Sequence, residues 1–171
     1  YETGDTGEDA RKRLADRARP DWDQSKVLLI QGDLFGIQDF IFATGGETQR
    51  RAAKLLRGRS FYVSLLTECA ALRLLDGLAL PPTSQVINAA GKFLIVAPNT
   101  PETRRLLEQA QAEFDAWFLE HTFGQSGIGL AWIPASCNDF LHGGPGEVPF
   151  ARLMRRLFEA LNEAKTHRLH L

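Results

Sequence analysis

A carboxylate and a group of cations lie near the first apolar segment of the chain. Asp33 follows the leucine and β-branched run of residues 27–30, where a carboxylate can hold a metal ion, contact a ribose or cap a turn. Gly36 opens a second apolar pattern, and a helix N-terminus there would offer backbone N–H groups to a phosphate. Five cations follow within ten residues: Arg50, Arg51, Lys54, Arg57 and Arg59. These residue types favour a polyanionic ligand.

The elements around these residues follow from periodicity. We expect a strand over residues 27–31 that ends at Gly32 and Asp33, a short helix over 36–42, and a basic segment in which Gly58 lets the backbone turn. A long helix is predicted over residues 59–78 and ends at Gly77. Its predicted buried stripe is Phe61, Leu65, Cys69 and Leu72.

The second half of the chain shows a hairpin, a helix, a strand and a last helix. Two strands over 85–88 and 92–98 flank Ala89-Ala90-Gly91. Thr100 is a predicted N-cap, followed by Pro101 at the first helical position. The buried face of that helix is predicted as Leu106, Ala110, Phe114, Trp117 and Phe118. A strand over 128–134, a loop over 136–148 and a helix carrying Phe150, Leu153, Leu157 and Leu161 come next, before a basic, frayed tail of Lys165, His167, Arg168 and His170.

This order of elements predicts an α+β fold. Strand, helix, strand, strand, helix, strand (βαββαβ) is the ferredoxin-like order, with a four-stranded antiparallel sheet and both helices on one face, here followed by an extra C-terminal helix. We divide the chain into a linker or surface segment (1–25), a ferredoxin-like domain (26–135), and a loop and helix leading to a next domain (136–171).

Composition describes a globular protein of one domain. The 171 residues are 44% hydrophobic and 24% charged, with a net charge of −1, which argues against a surface coated by nucleic acid. No apolar run is long enough to span a membrane, and we expect a cytoplasmic location. Cys69 and Cys137 lack metal-site spacing and are predicted to be free thiols. Because the chain begins with Tyr1, we expect it to be a piece of a longer protein.

Two blocks of sequence carry a family resemblance. The chain reads GDLFGIQDFIF over residues 32–42 and AAKLLRGRSFY over 52–62. It resembles the first palm domain of the large subunit of type III CRISPR effector complexes, the Csm-type cyclic oligoadenylate synthases, whose patterns are close to GDISGIQDFIF and AAKSLRGRSFY. The likeness continues through LPPT at 80–83 and AAGKFLIVAPNT at 89–100, and so covers residues 26–171. One difference is that the family commonly has GGGHF where this chain has Ala89-Ala90-Gly91-Lys92-Phe93.

The resemblance implies a palm that holds one of two ATP molecules against a second palm of the same protein. In the family the metal-binding GGDD motif belongs to that second palm, which would use ATP with Mg²⁺. The hairpin of this chain carries no acid, and one carboxylate is too few oxygen ligands for a two-metal centre. We therefore predict no catalytic residue, no metal site and no activity for the chain alone. Its partners would be the second palm, the other subunits of the effector complex with crRNA and target RNA, or a second copy in a homodimer.

The predicted nucleotide-binding residues combine the resemblance with the cations. They are Asp33, Leu34, Phe35, Gly36, Gln38, Lys54, Arg57, Arg59, Gly91 and Lys92. The charged residues have simpler explanations as well. Asp33 could cap a turn and Lys92 could be a solvated lysine, while Lys54, Arg57 and Arg59 could serve solubility or pair with acids such as Glu68.

Two other functions share this order of elements. An RNA-recognition motif has the same topology but needs exposed aromatic residues on its two central strands, where this chain offers only Phe93. A free-standing GGDEF-type cyclase needs acids at the hairpin, which this chain lacks. Salt-dependent RNA binding would favour the first alternative, and metal-dependent nucleotide turnover by this chain alone the second.

Overall fold

The computed structural model describes residues 13, 16–17, 21–38, 49–140, 146 and 148–168. Its strands are β1 (Val27–Phe35), β2 (Gln85–Ala89), β3 (Lys92–Pro98) and β4 (Gly127–Ala135). Its helices are α1 (Gln49–Gly77), α2 (Pro101–Thr122) and α3 (Pro149–Arg168), with short 3-10 helices at Pro82–Ser84 and Cys137–Phe140. None of the helices in these ranges combines the length and the apolar character needed to cross a bilayer.

The four strands form one antiparallel sheet in the order β2-β3-β1-β4. This is the strand order of a ferredoxin-like fold, so the predicted α+β class and topology are confirmed. β1 lies at the centre, paired with β3 on one side and with β4 on the other. The segment that carries Asp33 is therefore a central strand with neighbours on both edges.

Each face of the sheet is covered by helices. On one face, alternate residues of β1 such as Leu28 and Ile30 pack with Phe93 of β3 against α1 and α2. On the other face, Leu29 and Leu94 pack against α3. Burying each of these side chains stabilises the fold by about 1.5–3 kcal/mol. The extra C-terminal helix thus belongs to the core, because it closes the face that α1 and α2 leave open.

β1 is longer than predicted. It continues past Gly32 and Asp33 to Phe35. A Cβ atom placed on Gly32 would lie 2.1 Å from Cζ of Phe93, so the glycine makes room for that ring. The predicted end of the strand at Gly32 is therefore wrong, because this glycine packs inside the strand. Asp33 consequently lies within the strand, directly opposite Lys92.

α1 differs from its prediction in both length and orientation. It begins at Gln49, and Gly58 lies inside the helix rather than at a turn. The buried stripe includes Val63, Thr67, Ala71 and Leu74, together with Ala70 and Leu75. The residues predicted to be buried, Phe61, Leu65, Cys69 and Leu72, are exposed. Small alanines let the helix approach the sheet closely, so the larger side chains point elsewhere.

α2 matches its prediction at the N-terminus. Thr100 caps it by accepting a hydrogen bond from the Thr103 N–H at 3.1 Å, and Pro101 is its first residue. Its buried residues are Thr103, Leu107, Ala110, Phe114 and Phe118. Leu107 therefore takes the place predicted for Leu106, and Trp117 is partly exposed and stacks on His121 with ring centroids 4.4 Å apart.

α3 reaches Arg168, so the predicted frayed tail is wrong for Lys165 and Arg168. Of the helix predicted over 36–42, the structure shows the start at Ile37 and Gln38. The structure does not describe the rest of that predicted helix, the side chains of Arg50 and Arg51, or most of the segment 1–25. The domain boundaries drawn at residues 25 and 135 remain predictions.

Candidate functional site

A buried carboxylate with two lysines marks one end of the sheet. Asp33 is 6% exposed and lies on the face that α3 covers. Lys165 Nζ of α3 donates a hydrogen bond to Asp33 Oδ2. Lys92 Nζ of β3 lies 3.8 Å from the same oxygen. Three elements therefore meet at one carboxylate oxygen.

The spacing of α3 explains why Lys165 reaches this place. Leu153, Leu157 and Leu161 are buried at intervals of four residues, and Lys165 is the next position of the same stripe. Sequence reasoning missed Lys165 because it was assigned to a tail. The available signal was the lysine at the next position of the apolar stripe, which places a cation on the face of α3 that meets the sheet.

The cluster formed by Asp33, Lys92 and Lys165 carries a net positive charge. Asp33 contributes one negative charge, and Lys92 and Lys165 contribute two positive charges. The Lys165 side chain is 28% exposed and the Lys92 side chain 49% exposed, so both ammonium groups also face solvent. Desolvation of the carboxylate is offset by the two ammonium groups. The outer surface of the cluster therefore suits an anion.

Asp33 does not fit a magnesium ion in this arrangement. Magnesium needs several oxygen ligands in octahedral geometry. The described residues contain no group of three acidic, histidine or cysteine side chains that could hold a metal ion. Both polar side chains beside Asp33 carry ammonium groups, which repel a cation. We assign Asp33 to holding α3 and Lys92 in place.

The β2–β3 hairpin turn lies against the same stretch of β1. Gly91 O accepts a hydrogen bond from the Leu34 N–H at 2.8 Å. Ala90 and Gly91 have positive φ angles of 55° and 79°, as in a two-residue hairpin turn. A Cβ atom on Gly91 would lie 2.7 Å from Cδ1 of Ile37 and would displace that side chain, and the φ of 79° also favours glycine there. The structure thus brings Asp33, Leu34, Gly91 and Lys92 together, and their role in nucleotide binding remains a prediction.

Phe35 and Gly36 lie toward the opposite edge. A Cβ atom on Gly127 of β4 would lie 2.4 Å from Cζ of Phe35, so the ring covers that glycine. Gly36 has a φ of 75°, and a Cβ atom on it would lie 2.1 Å from the Gln125 carbonyl oxygen. Phe35 and Gly36 therefore pack the end of β1 closely against the start of β4. Gln38 is exposed beyond them.

The basic cluster lies farther along α1. Lys54 and Arg57 are exposed, and Arg57 Nε donates to the Ala53 carbonyl one turn earlier at 3.4 Å. α1 passes the hairpin turn at Val63, whose Cγ1 would lie 3.8 Å from a Cβ atom on Gly91. Arg59 and Lys54 precede Val63 by about 6 and 14 Å of helix rise. The cluster is thus displaced from Asp33 along the helix axis.

Gln31 is a second polar residue that sequence reasoning missed. It is 5% exposed and precedes Asp33 by two residues, on the same face of the sheet. Its Oε1 atom is buried and accepts no hydrogen bond from the residues that the structure describes. A polar residue inside an otherwise apolar strand is the signal that could have identified it.

The sheet face used by RNA-recognition motifs is covered here. That face must present aromatic side chains on the two central strands. On β1 and β3 it carries Leu29, Gln31 and Leu94, with the leucines packed under α3. Phe93 lies on the other face and is buried. These observations argue against the RNA-binding alternative.

The comparisons with known proteins agree with one another. The family model described as Csm1 subunit domain B matches residues 26–171. The chain is 34% identical over 165 residues to the CRISPR system single-strand-specific deoxyribonuclease Cas10/Csm1 (subtype III-A) of Thermococcus onnurineus. It is 31% identical over 169 residues to the Mycobacterium tuberculosis protein of the same description. It covers 20% of each relative, while 96% and 94% of this chain are matched.

Solved structures show the same likeness. The crystal structure of Csm1 in T. onnurineus matches with a TM-score of 0.74 and 33% identity, over 84% of this chain and 20% of that one. A Csm1–Csm4 cassette in complex with pppApA matches with a TM-score of 0.77 and 32% identity, over 90% of this chain and 21% of that one. A Csm1–Csm4 cassette in complex with one ATP matches with a TM-score of 0.73 and 33% identity, over 84% of this chain and 19% of that one.

Proposed function

The chain belongs to the Csm1 domain B family, as part of a type III CRISPR large subunit, and we propose that it supplies a nucleotide half-site to that protein. In this proposal the domain is a palm that does not catalyse the reaction itself. It holds one ATP molecule against the second palm of the same subunit, which supplies the metal-binding acids. The joint product is a cyclic oligoadenylate made in antiviral defence.

The convergence of Lys92 and Lys165 on Asp33 carries this proposal. One carboxylate cannot neutralise two ammonium groups, so the cluster of Asp33, Lys92 and Lys165 keeps a net positive charge. A triphosphate is the part of ATP that such a surface attracts most strongly. The Ala90-Gly91 turn lies beside it, and Ala90 is exposed to solvent there. Related Csm1–Csm4 cassettes in complex with ATP and with pppApA support the same class of ligand.

Lys92 is the side chain best placed to contact a phosphate. Its side chain is half exposed and is held near Asp33 by strand register, so the ammonium group loses little freedom on binding. Lys165 is more buried, so it contributes positive charge to the cluster without being the main phosphate contact. In this proposal Leu34, Gly36 and Gly91 shape the backbone, and Lys54, Arg57 and Arg59 extend the positive surface along α1 for a longer oligonucleotide product.

The other partners of the proposal come from the relatives. Csm1 relatives form cassettes with Csm4, and one such structure is a subcomplex in the type III-A CRISPR-Csm interference complex. We infer that this chain takes part in an equivalent assembly with crRNA and target RNA. A cytoplasmic location accords with such an assembly.

Titration of ATP with Mg²⁺ into the complete large subunit tests the half-site. We expect Lys92→Ala to weaken ATP binding about tenfold, since a hydrogen bond to a charged group contributes about 1.5–3 kcal/mol. Lys26→Ala is the matched control, because Lys26 is an exposed lysine at the other end of β1, paired with Asp21 at 3.1 Å. Equal ATP affinity in both variants would overturn the proposal.

A parallel measurement locates the basic cluster relative to the ligand. Arg57→Ala combined with Arg59→Ala should leave the ATP affinity within about twofold of that of the unchanged protein. Both arginines precede the point where α1 passes the hairpin turn, so they lie away from the Asp33 cluster. The same double variant should weaken binding of a linear triadenylate several-fold. If the double variant binds the triadenylate as tightly as the unchanged protein does, the basic cluster is not part of the nucleotide site.

A further inference from the structure

α1 presents an apolar seam that faces away from the sheet. The seam consists of Leu55, Gly58, Tyr62, Leu65, Cys69 and Leu72, at alternating intervals of three and four residues. Leu55, Tyr62, Leu65 and Leu72 are 40%, 41%, 46% and 47% exposed. The buried stripe of the same helix, which includes Val63 and Leu74, is a different set of residues. α1 therefore has two apolar faces, and α2, β2 and the sheet occupy only one.

The spacing of the seam specifies the shape of what covers it. Intervals of three and four residues keep the side chains in one line, which is the arrangement by which a helix packs on another helix. The seam extends over 18 residues, which is about 27 Å of helix. The occupant is therefore a helix of about five turns with its own apolar stripe.

The charges beside the seam specify which end of that helix is acidic. Lys54 and Arg57 are exposed next to the first half of the seam, near Leu55 and Gly58. The second half ends at Leu72, close to the acid Asp76. An occupying helix with acids opposite Lys54 and Arg57 gains favourable pairs along its edge.

The size of the seam indicates where the helix comes from. Gly58 and Cys69 contribute little area, and specific interfaces between separate chains bury about 1,200–2,000 Å². A helix of the same polypeptide does not need so large a surface, because tethering supplies a high effective concentration. The relatives are about five times as long as this chain, so most of such a subunit remains to supply the helix.

We propose that the α1 seam packs against an amphipathic helix from another part of the same large subunit, acidic where it faces Lys54 and Arg57. The docked helix fixes α1, and with it the hairpin turn that lies on Val63. This contact is separate from the Asp33 cluster, because α1 and α3 cover opposite faces of the sheet. It shares Lys54 and Arg57 with the proposed surface for a longer oligonucleotide, so an acidic helix and a long product compete for these two cations.

Cys69 offers a direct probe, since it lies within the seam and is exposed in this chain. In the 171-residue chain, which encloses two hydrophobic clusters of its own, Cys69 and the exposed Cys137 should react with a maleimide at similar rates. In the complete large subunit, Cys69 should react at least tenfold more slowly, as measured by peptide mass spectrometry. Leu65→Glu with Leu72→Glu should restore the fast reaction.

Leu119→Glu is the control for a new exposed charge, because Leu119 is 61% exposed on α2 and lies outside the seam. It should leave Cys69 protected. Thermal unfolding of the isolated double variant should match that of the isolated chain, which shows that the substitutions do not unfold the domain.

Three results would overturn the proposal. One is equal Cys69 reactivity in the isolated chain and the complete subunit. Another is slow reaction of Cys69 in the isolated chain. If its protection increases with protein concentration, a second copy covers the seam; if it does not, a segment of the chain itself does. The third is protection in the complete subunit that Leu65→Glu with Leu72→Glu does not relieve.

Discussion

Lys165, near the end of α3, donates a hydrogen bond to Asp33 on the central strand β1, 132 positions earlier in the chain. This contact joins the last helix to the first strand at the point where Lys92 also lies 3.8 Å from the carboxylate. It fixes the position of α3 along the sheet, because a shift of one turn would leave the buried carboxylate without Lys165. The same contact sets the positive charge at the proposed half-site.

Lys165→Met should destabilise the chain by about 1–3 kcal/mol. The substitution leaves Asp33 buried beside Lys92 alone, and partial exposure of Lys165 reduces the cost below that of a fully buried pair. Urea unfolding measures the loss. Lys26→Met is the control, since its exposed pair with Asp21 should contribute less than about 1 kcal/mol. Combining Asp33→Asn with Lys165→Met should recover part of the loss; strict additivity would show that the two residues do not interact.

Ala90→Asn should stabilise the chain by about 0.5–1 kcal/mol. Ala90 has a φ of 55°, a conformation that asparagine adopts more readily than alanine, and the substitution creates the Asn-Gly pair preferred in two-residue hairpin turns. The midpoint of thermal unfolding should rise. Ala89→Asn is the control, because Ala89 lies in β2, where asparagine is unfavourable. A fall in the midpoint for Ala90→Asn would contradict the turn geometry.

Gly32→Ala should destabilise the chain by about 1–3 kcal/mol, because the added methyl would lie 2.1 Å from Cζ of Phe93. Phe93→Leu in the same chain should relieve part of this cost. Gly58→Ala gives the opposite expectation: nothing lies within 4 Å of its added methyl, and alanine favours a helix by about 1 kcal/mol. Urea midpoints that shift in the same direction for the two glycines would refute this explanation.

Gln31→Met should leave stability unchanged or raise it by up to about 2 kcal/mol, since the buried Oε1 atom meets no donor among the described residues. Gln111→Met is the matched comparison. Gln111 donates to the Ile128 carbonyl at 2.9 Å and accepts from the Leu130 N–H at 2.8 Å, so its loss should cost about 1–3 kcal/mol. A large loss on Gln31→Met would mean that Oε1 binds a water molecule or a ligand group.

The sequence alone determined the class and topology of the fold. The continuous apolar runs in β1 and β3, the Thr100 cap of α2 and the turn at Gly91 are local signals, and each acts through a few neighbouring residues. Motif resemblance added the family, because the two blocks over residues 32–42 and 52–62 are specific in composition and spacing. The proximity of Asp33 to Lys92 could also be predicted from the sequence, because the ferredoxin-like order places the hairpin strand β3 beside the central strand β1.

Only the tertiary structure decided which face of α1 is buried and where Lys165 lies. α1 has two apolar stripes of similar length, and the choice between Val63 with Ala71 and Leu65 with Leu72 depends on how closely the helix approaches the sheet. Lys165 meets Asp33 through the packing of α3 on a sheet face far away in sequence. Long-range packing of this kind is set by the whole surface of each element, which no local pattern of residues contains.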